Sequence, residues 1–167
     1  WDLLGLKTGQ SLAQMLGGVR SSVDVGVSLG IETEISILMA QVERFIAEGY
    51  KRVKLKIAPG WDIKPVEAVR NQWPDLLLQV DANSAYQLND LETLKQLDRF
   101  GLLLIEQPLA DDDIIDHAIL QKAIHTPICL DESLHHVDDV RKAIQMQSCR
   151  VVNIKVSRVG GLLESKA

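Results

Sequence analysis

Five ionisable residues recur along this chain at nearly equal steps. Lys56, Asp81, Glu106, Asp131 and Lys155 are separated by 25, 25, 25 and 24 residues. Each sits near the C-terminal end of a short apolar run: "RVKLKI" (52–57), "LLLQVDAN" (76–83), "LLLIEQP" (102–108), "PICLDES" (127–133) and "VVNIKVS" (151–157). A sixth run, "VDVGVSLGI" (23–31), precedes them. Between the runs lie "TEISILMAQVERFIAEGY", "IKPVEAVRNQW", "DLETLKQLDRF", "IIDHAILQKAI" and "VDDVRKAIQMQ", with apolar residues at helical spacing and an acidic or capping residue near each start. Strand alternating with helix, with strands apolar over most of their length, means βα units and a parallel sheet. Crossovers in such sheets are right-handed. An equal step through successive parallel strands brings the five charges to about one height at the carboxyl ends, blurred by a residue or so of barrel stagger. Barrel enzymes place their chemistry there. An open doubly wound sheet binds at a switch point served by two or three strands. Charges from five strands therefore favour a (β/α) barrel.

Closing a barrel takes about eight strands and roughly 250 residues, and this chain supplies six runs. The expected fold is α/β, a TIM-type barrel of which only strands one to six are present. Residues 1–22, where "KTGQSLAQMLGGVRSS" reads as helix and turn, are expected to be a linker from a domain upstream; residues 23–167 would be the partial barrel. "GGLLESKA" starts a further helix, and there is no initiator Met. The chain thus reads as a piece of something longer. An unclosed barrel leaves two sheet edges and an unfilled interior, so little activity is expected of it alone.

With 46% hydrophobic residues the chain can bury a sizeable core. Its net charge of −5 and dispersed basic residues argue against nucleic acid as a partner. No apolar run is long enough for a membrane span, and no signal-peptide layout opens the chain. Cys129 and Cys149 lack a CxxC spacing and read as reduced thiols of a cytoplasmic protein.

Asp81, Glu106 and Asp131 fall on neighbouring strands. Three carboxylates gathered at one end of a sheet stay ionised only if a cation joins them. An all-oxygen site suits a hard divalent ion, Mg²⁺ before Mn²⁺. The competing reading makes each carboxylate the N-cap of the next helix. Lys56 and Lys155 lie four strands apart, opposite each other in an eight-stranded barrel, and would flank that ion. An amine on each face of a carbon next to a carboxylate can remove or return a proton, through an enediolate that the ion stabilises. Free lysine titrates near about 10.4; Lys54 beside Lys56, with the metal, would lower it. The bland alternative is an edge strand with lysines facing water. Asn83, Ser133 and Ser157 follow at i+2 on the same face and could support these groups or merely end strands. Glu132 and Gln107 alternate away from the pore. "VGG" (159–161) could bind an anion at a helix start or form a tight turn. A barrel lysine could also act as a Schiff-base nucleophile, a reading that activity surviving EDTA and a borohydride-trapped lysine would favour; three aligned carboxylates have no task there. A non-enzymatic remnant, an inactive truncated barrel, is a further alternative.

"KLK", "DAN", "IEQP", "LDES" and "NIKVSRVGG", in this order, resemble the muconate-lactonising subgroup of the enolase superfamily. "VGVSLGI" is similar to its o-succinylbenzoate synthase / N-acylamino acid racemase branch. The resemblance implies a modified (β/α)7β barrel capped by an α+β domain, with Mg²⁺ held by Asp81, Glu106 and Asp131. It implies Lys56 and Lys155 as acid and base on a small-molecule carboxylate substrate. In the synthase, a dehydration within menaquinone biosynthesis, Lys56 would take the α-proton and help water depart while Lys155 stabilises the enediolate. In the racemase, which takes N-acylated amino acids, the lysines would serve opposite faces. Dipeptide epimerases share the same five residues. The parent is expected to assemble from identical subunits.

Overall fold

The computed structural model describes residues 1–166. Two short helices, α1 (Asp2–Thr8) and α2 (Leu12–Met15), open the chain. Ser11 and Gln14 close α2 with a reciprocal capping box. Strands and helices then alternate: β1 (Gly26–Leu29), α3 (Ile35–Ala47), β2 (Arg52–Lys56), α4 (Ile63–Gln72), β3 (Leu77–Asp81), α5 (Leu91–Gln96), β4 (Ile105–Glu106), α6 (Ile114–Ala123), β5 (Ile128–Leu130), α7 (Val137–Met146), β6 (Val151–Val152) and α8 (Leu162–Lys166). The six strands form one parallel sheet in chain order. A doubly wound sheet reverses its order at a switch point; this one does not, and its connectivity is that of an incomplete (β/α) barrel. No described helix is long and apolar enough to cross a membrane.

The alternation in β2 sorts its residues as a two-residue period requires. Val53, Leu55 and Ile57 are buried against the helices, while Lys54 and Lys56 stand half-buried on the other face. In β3, Leu78 and Val80 face the helices, and Gln79 and Asp81 face inward. The helices answer with Leu38 and Val42 from α3, Val66 and Val69 from α4, Leu94 from α5, Leu120 from α6 and Ala143 from α7. The core thus lies between the sheet and its helices. The sheet's other face carries the charged and polar side chains of β2, β3 and β4, with Leu104 and Cys129 among them.

The strands are shorter than the apolar runs that encode them. Positive φ at Asn83, Ser84 and Gln107 turns the chain out of the ladder soon after β3 and β4 end. The helix expected over "DLETLKQLDRF" tightens into 3₁₀ turns at both ends (Leu88–Asp90 and Leu97–Phe100), and Gly101 closes it in the left-handed region at φ 57°.

Register settles how level the five charges lie. Lys56 pairs with Asp81, and Asp81 with Glu106. Glu106, however, pairs with Cys129, so Asp131 lies two residues further along. Leu130 pairs with Val152, which puts Asp131 opposite Asn153 and Lys155 another two residues on. The stagger of a barrel wall is therefore larger here than the residue or so expected. Each slip is an even number of residues, so all five side chains keep the same face.

Candidate active site

The carboxyl ends of β2 to β6 bring Lys54, Lys56, Asp81, Asn83 and Glu106 into one set of contacts and Asp131 and Lys155 into another. Asp81 and Asp131 are each 1% exposed and Glu106 3%. Buried carboxylates must find positive partners or donors, and each of these does. Asp81 Oδ2 accepts from Lys56 Nζ at 2.6 Å and from Lys54 Nζ at 2.9 Å. Glu106 Oε2 accepts from Lys54 Nζ at 3.0 Å, and its Oε1 from Asn153 Nδ2 at 2.9 Å. Asp131 Oδ2 accepts from Lys155 Nζ at 2.5 Å, and its Oδ1 from Arg158 Nη1 at 2.6 Å. Arg158 also reaches the Asp131 carbonyl.

Charge and burial oppose each other in these groups. Burial would push the Asp81 carboxyl up, but hydrogen bonds from Lys56 and Lys54 hold it below the usual carboxylate range. Asp131 behaves alike: burial raises it, and Lys155 and Arg158 more than reverse that. For Lys54, burial alone would lower the ammonium, yet Asp81 and Glu106 together hold it above the usual lysine range. Lys54 is thus a bridge between two carboxylates. Its charge is offset by them rather than left to repel that of Lys56.

None of the three carboxylates caps a helix. Asp62 accepts from the Ile63 N–H at the start of α4, and Asp113 from the Asp116 N–H at the start of α6. Asn83 donates its backbone N–H to Asp81 Oδ1 at 3.1 Å, and its side-chain oxygen faces the Lys56 ammonium. Ser133 is fixed by Gln107, whose Nε2 donates to its Oγ at 2.7 Å. Ser157, two residues past Lys155, is exposed.

The donor set suits a hard divalent ion, since every donor is a carboxylate oxygen on adjacent strands. The described residues contain no group of three or more His, Cys, Asp or Glu side chains already closed on a common point. Ammonium, guanidinium and amide N–H groups satisfy the same oxygens instead.

Three residues escaped the sequence reading. Gln107, fully buried, accepts the N–H groups of Asp131 (2.9 Å) and Ser133 (3.2 Å) at Oε1, and donates to the carbonyls of Leu109 and Ala110. Pleating suggested that it points away from the pore; a φ of 38° takes it out of the pleat. Asn153 could have been found two residues before Lys155, on the same face. Arg158 follows β6 in a turn, where no periodicity signals direction.

Residues 38–167 match the family model described as enolase C-terminal domain-like. The o-succinylbenzoate synthase of Geobacillus stearothermophilus is 53% identical over 166 residues, covering 99% of this chain and 44% of that protein. The N-succinylamino acid racemase of Thermus thermophilus is 52% identical over 165 residues, covering 99% and 45%. The chain therefore spans under half the length of these relatives. Among solved structures, an enolase-superfamily member from Listeria innocua superposes with a TM-score of 0.95 at 47% identity, covering 99% of this chain and 44% of that one. A racemase from Streptomyces coelicolor with bound magnesium gives 0.89 at 28% identity, covering 98% and 51%.

Proposed function

This chain belongs to the enolase C-terminal domain-like family, and on that premise we propose that it carries the acid–base machinery of an enzyme that removes the proton α to a substrate carboxylate. The reaction would be that of an o-succinylbenzoate synthase, an N-acylamino acid racemase, or both. The observation that carries this reading is the pairing of Lys56 with Asp81 and of Lys155 with Asp131, on either side of Glu106. An o-succinylbenzoate synthase and an N-succinylamino acid racemase each align along 99% of the chain, which supports the branch and leaves both activities in play.

Asp81, Glu106 and Asp131 would hold Mg²⁺ or Mn²⁺, given three nearly buried carboxylates on adjacent strands and a magnesium-bearing racemase of similar fold. Once bound, such an ion supplies positive charge to the substrate carboxylate and to the anion left by proton loss. Lys54 steadies Asp81 and Glu106 from below. To act as a base, Lys56 must leave Asp81 Oδ2, and Asn83 Oδ1 remains as its acceptor. In the synthase direction Lys56 takes the α-proton and returns it to the departing hydroxyl, while Lys155 stays charged beside the enediolate. In the racemase direction Lys155 returns a proton to the opposite face.

Proton exchange in D₂O, which asks only for the first proton transfer and not for turnover, tests this, with Mg²⁺ and each enantiomer of an N-succinyl amino acid supplied separately. Lys56→Ala is expected to slow exchange from one enantiomer and Lys155→Ala from the other, each by about 10²–10⁴-fold. Exchange untouched by either substitution would sink the proposal.

A further inference from the structure

Glu132, between Asp131 and Ser133, has no part in the steps above. Its Oε1 accepts from Asn83 Nδ2 at 2.9 Å, across from β5 to the end of β3. Its Oε2 is buried with no hydrogen-bond partner among the described residues. A bare carboxylate oxygen inside a protein lowers stability, so stability alone does not account for this side chain.

Asn83 gives it a task. An asparagine amide has two ends of nearly the same shape, one an acceptor and the other a donor. Only the oxygen can hold an ammonium. A carboxylate accepts and does not donate when ionised, so opposite Glu132 the NH₂ end is fixed. The oxygen is then left for Lys56, which it does face. The Asn83 backbone is tied down separately, through its N–H to Asp81 Oδ1. We propose that Glu132 is a positioning residue for Lys56: it orients the amide of Asn83 so that the amide oxygen, not the NH₂, holds the Lys56 ammonium. The geometry links three strands in one line, from Glu132 after β5 through Asn83 after β3 to Lys56 at the end of β2. The catalytic meaning of this link rests on the acid–base role proposed for Lys56; the hold on the ammonium does not.

The hold can be measured without turnover, by competitive trace labelling of lysines with acetic anhydride, read peptide by peptide in a mass spectrometer. Lys56 and Lys155 side chains are 32% and 46% exposed, so the reagent reaches both. Glu132→Ala is expected to raise Lys56 labelling at least about threefold, the factor a lost hydrogen bond of ordinary strength gives. Lys155 should label as in the parent. Glu132→Gln, which can turn its own oxygen to the Asn83 NH₂, should restore Lys56 protection. Glu132→Asp keeps the charge but withdraws the carboxylate by one methylene, and should give a smaller rise confined to Lys56. This variant decides the matter should Glu132→Ala not fold. Unchanged Lys56 labelling in Glu132→Ala and Glu132→Asp, or Lys56 and Lys155 rising together, would overturn the inference. Unchanged labelling alongside lost exchange in Lys56→Ala would remove this inference and leave the proposed function standing. Selective labelling without any α-proton exchange would do the reverse.

Discussion

Lys56 and Lys155 reach their carboxylates from differently built supports. Lys56 is the last residue of β2, which pairs with β3 over five residues and is flanked on its other side by β1. Lys155 lies three residues past β6, an edge strand paired with β5 over two residues. Its carbonyl begins a turn, accepting from Arg158 and Val159, and the neighbouring Ile154 and Val156 are 51% and 41% exposed. On the first side, position comes from a ladder with an apolar underside. On the second, side chains grip backbone: Arg158 takes the Asp131 carbonyl, and Gln107 takes the Asp131 and Ser133 N–H groups. One half of the site is strand-borne and the other loop-borne.

The largest expected contrast is in stability. Leu55, 1% exposed in β2, should cost about 2–5 kcal/mol when cut to Ala. Val152, half-buried in β6, should cost at most about 1 kcal/mol by the same change. Equal losses in urea melts would break the distinction between the halves. A smaller effect, about 1–3 kcal/mol in all after local relaxation, is expected from Gln107→Leu, which strips partners from two buried N–H groups. Hydrogen exchange should quicken at Asp131 and Ser133 and stay as before in β2 and β3. Quickening spread evenly over both would show that the halves are not independent.

The subtlest test is pH. His117 on α6 is fully buried, accepts the Leu109 N–H at Nε2 (3.2 Å) and meets the Asp113 carbonyl at Nδ1, so it is the neutral tautomer with its proton on Nδ1. Burial pushes its imidazole below the ordinary 6.5. The unfolded chain therefore takes up the proton first as pH falls. The stability His117 contributes is complete above about 6.5 and is lost as pH drops through its lower folded value. Hydrogen-exchange protection, taken relative to the intrinsic rate at each pH, should fall first in residues 107–113 between pH 7 and 5, beneath the loop-borne half. A His117→Gln variant that keeps the same pH response would exclude this histidine as the cause.

What could be read from the sequence follows the same division. The period of two in "RVKLKI" placed Lys54 and Lys56 on one face, and the structure keeps them there. The near-equal step through five strands placed the carboxylates at the sheet's carboxyl end, because parallel βα units of one length repeat in height. The even register slips at β5 and β6 were not legible, since stagger is a property of the closing wall rather than of any strand. Gln107 was misread because pleating stops at a residue with positive φ, and Arg158 because a turn has no period. Ladder geometry writes itself into local pattern; side-chain grips on loops depend on contacts between residues 24 to 27 apart.

That Asp81, Glu106 and Asp131 form one divalent-ion site is the claim on which the rest depends. Calorimetric titration of the chain with Mg²⁺, beside the Asp81→Asn, Asp131→Asn double variant, tests it most directly. Saturable binding by the chain and none by the variant, with both giving the same folded circular dichroism spectrum, is the expected result. Binding of equal strength by the two proteins, or none by a chain shown to be folded, would contradict it and leave the carboxylates as partners of Lys54, Lys56, Lys155 and Arg158 alone.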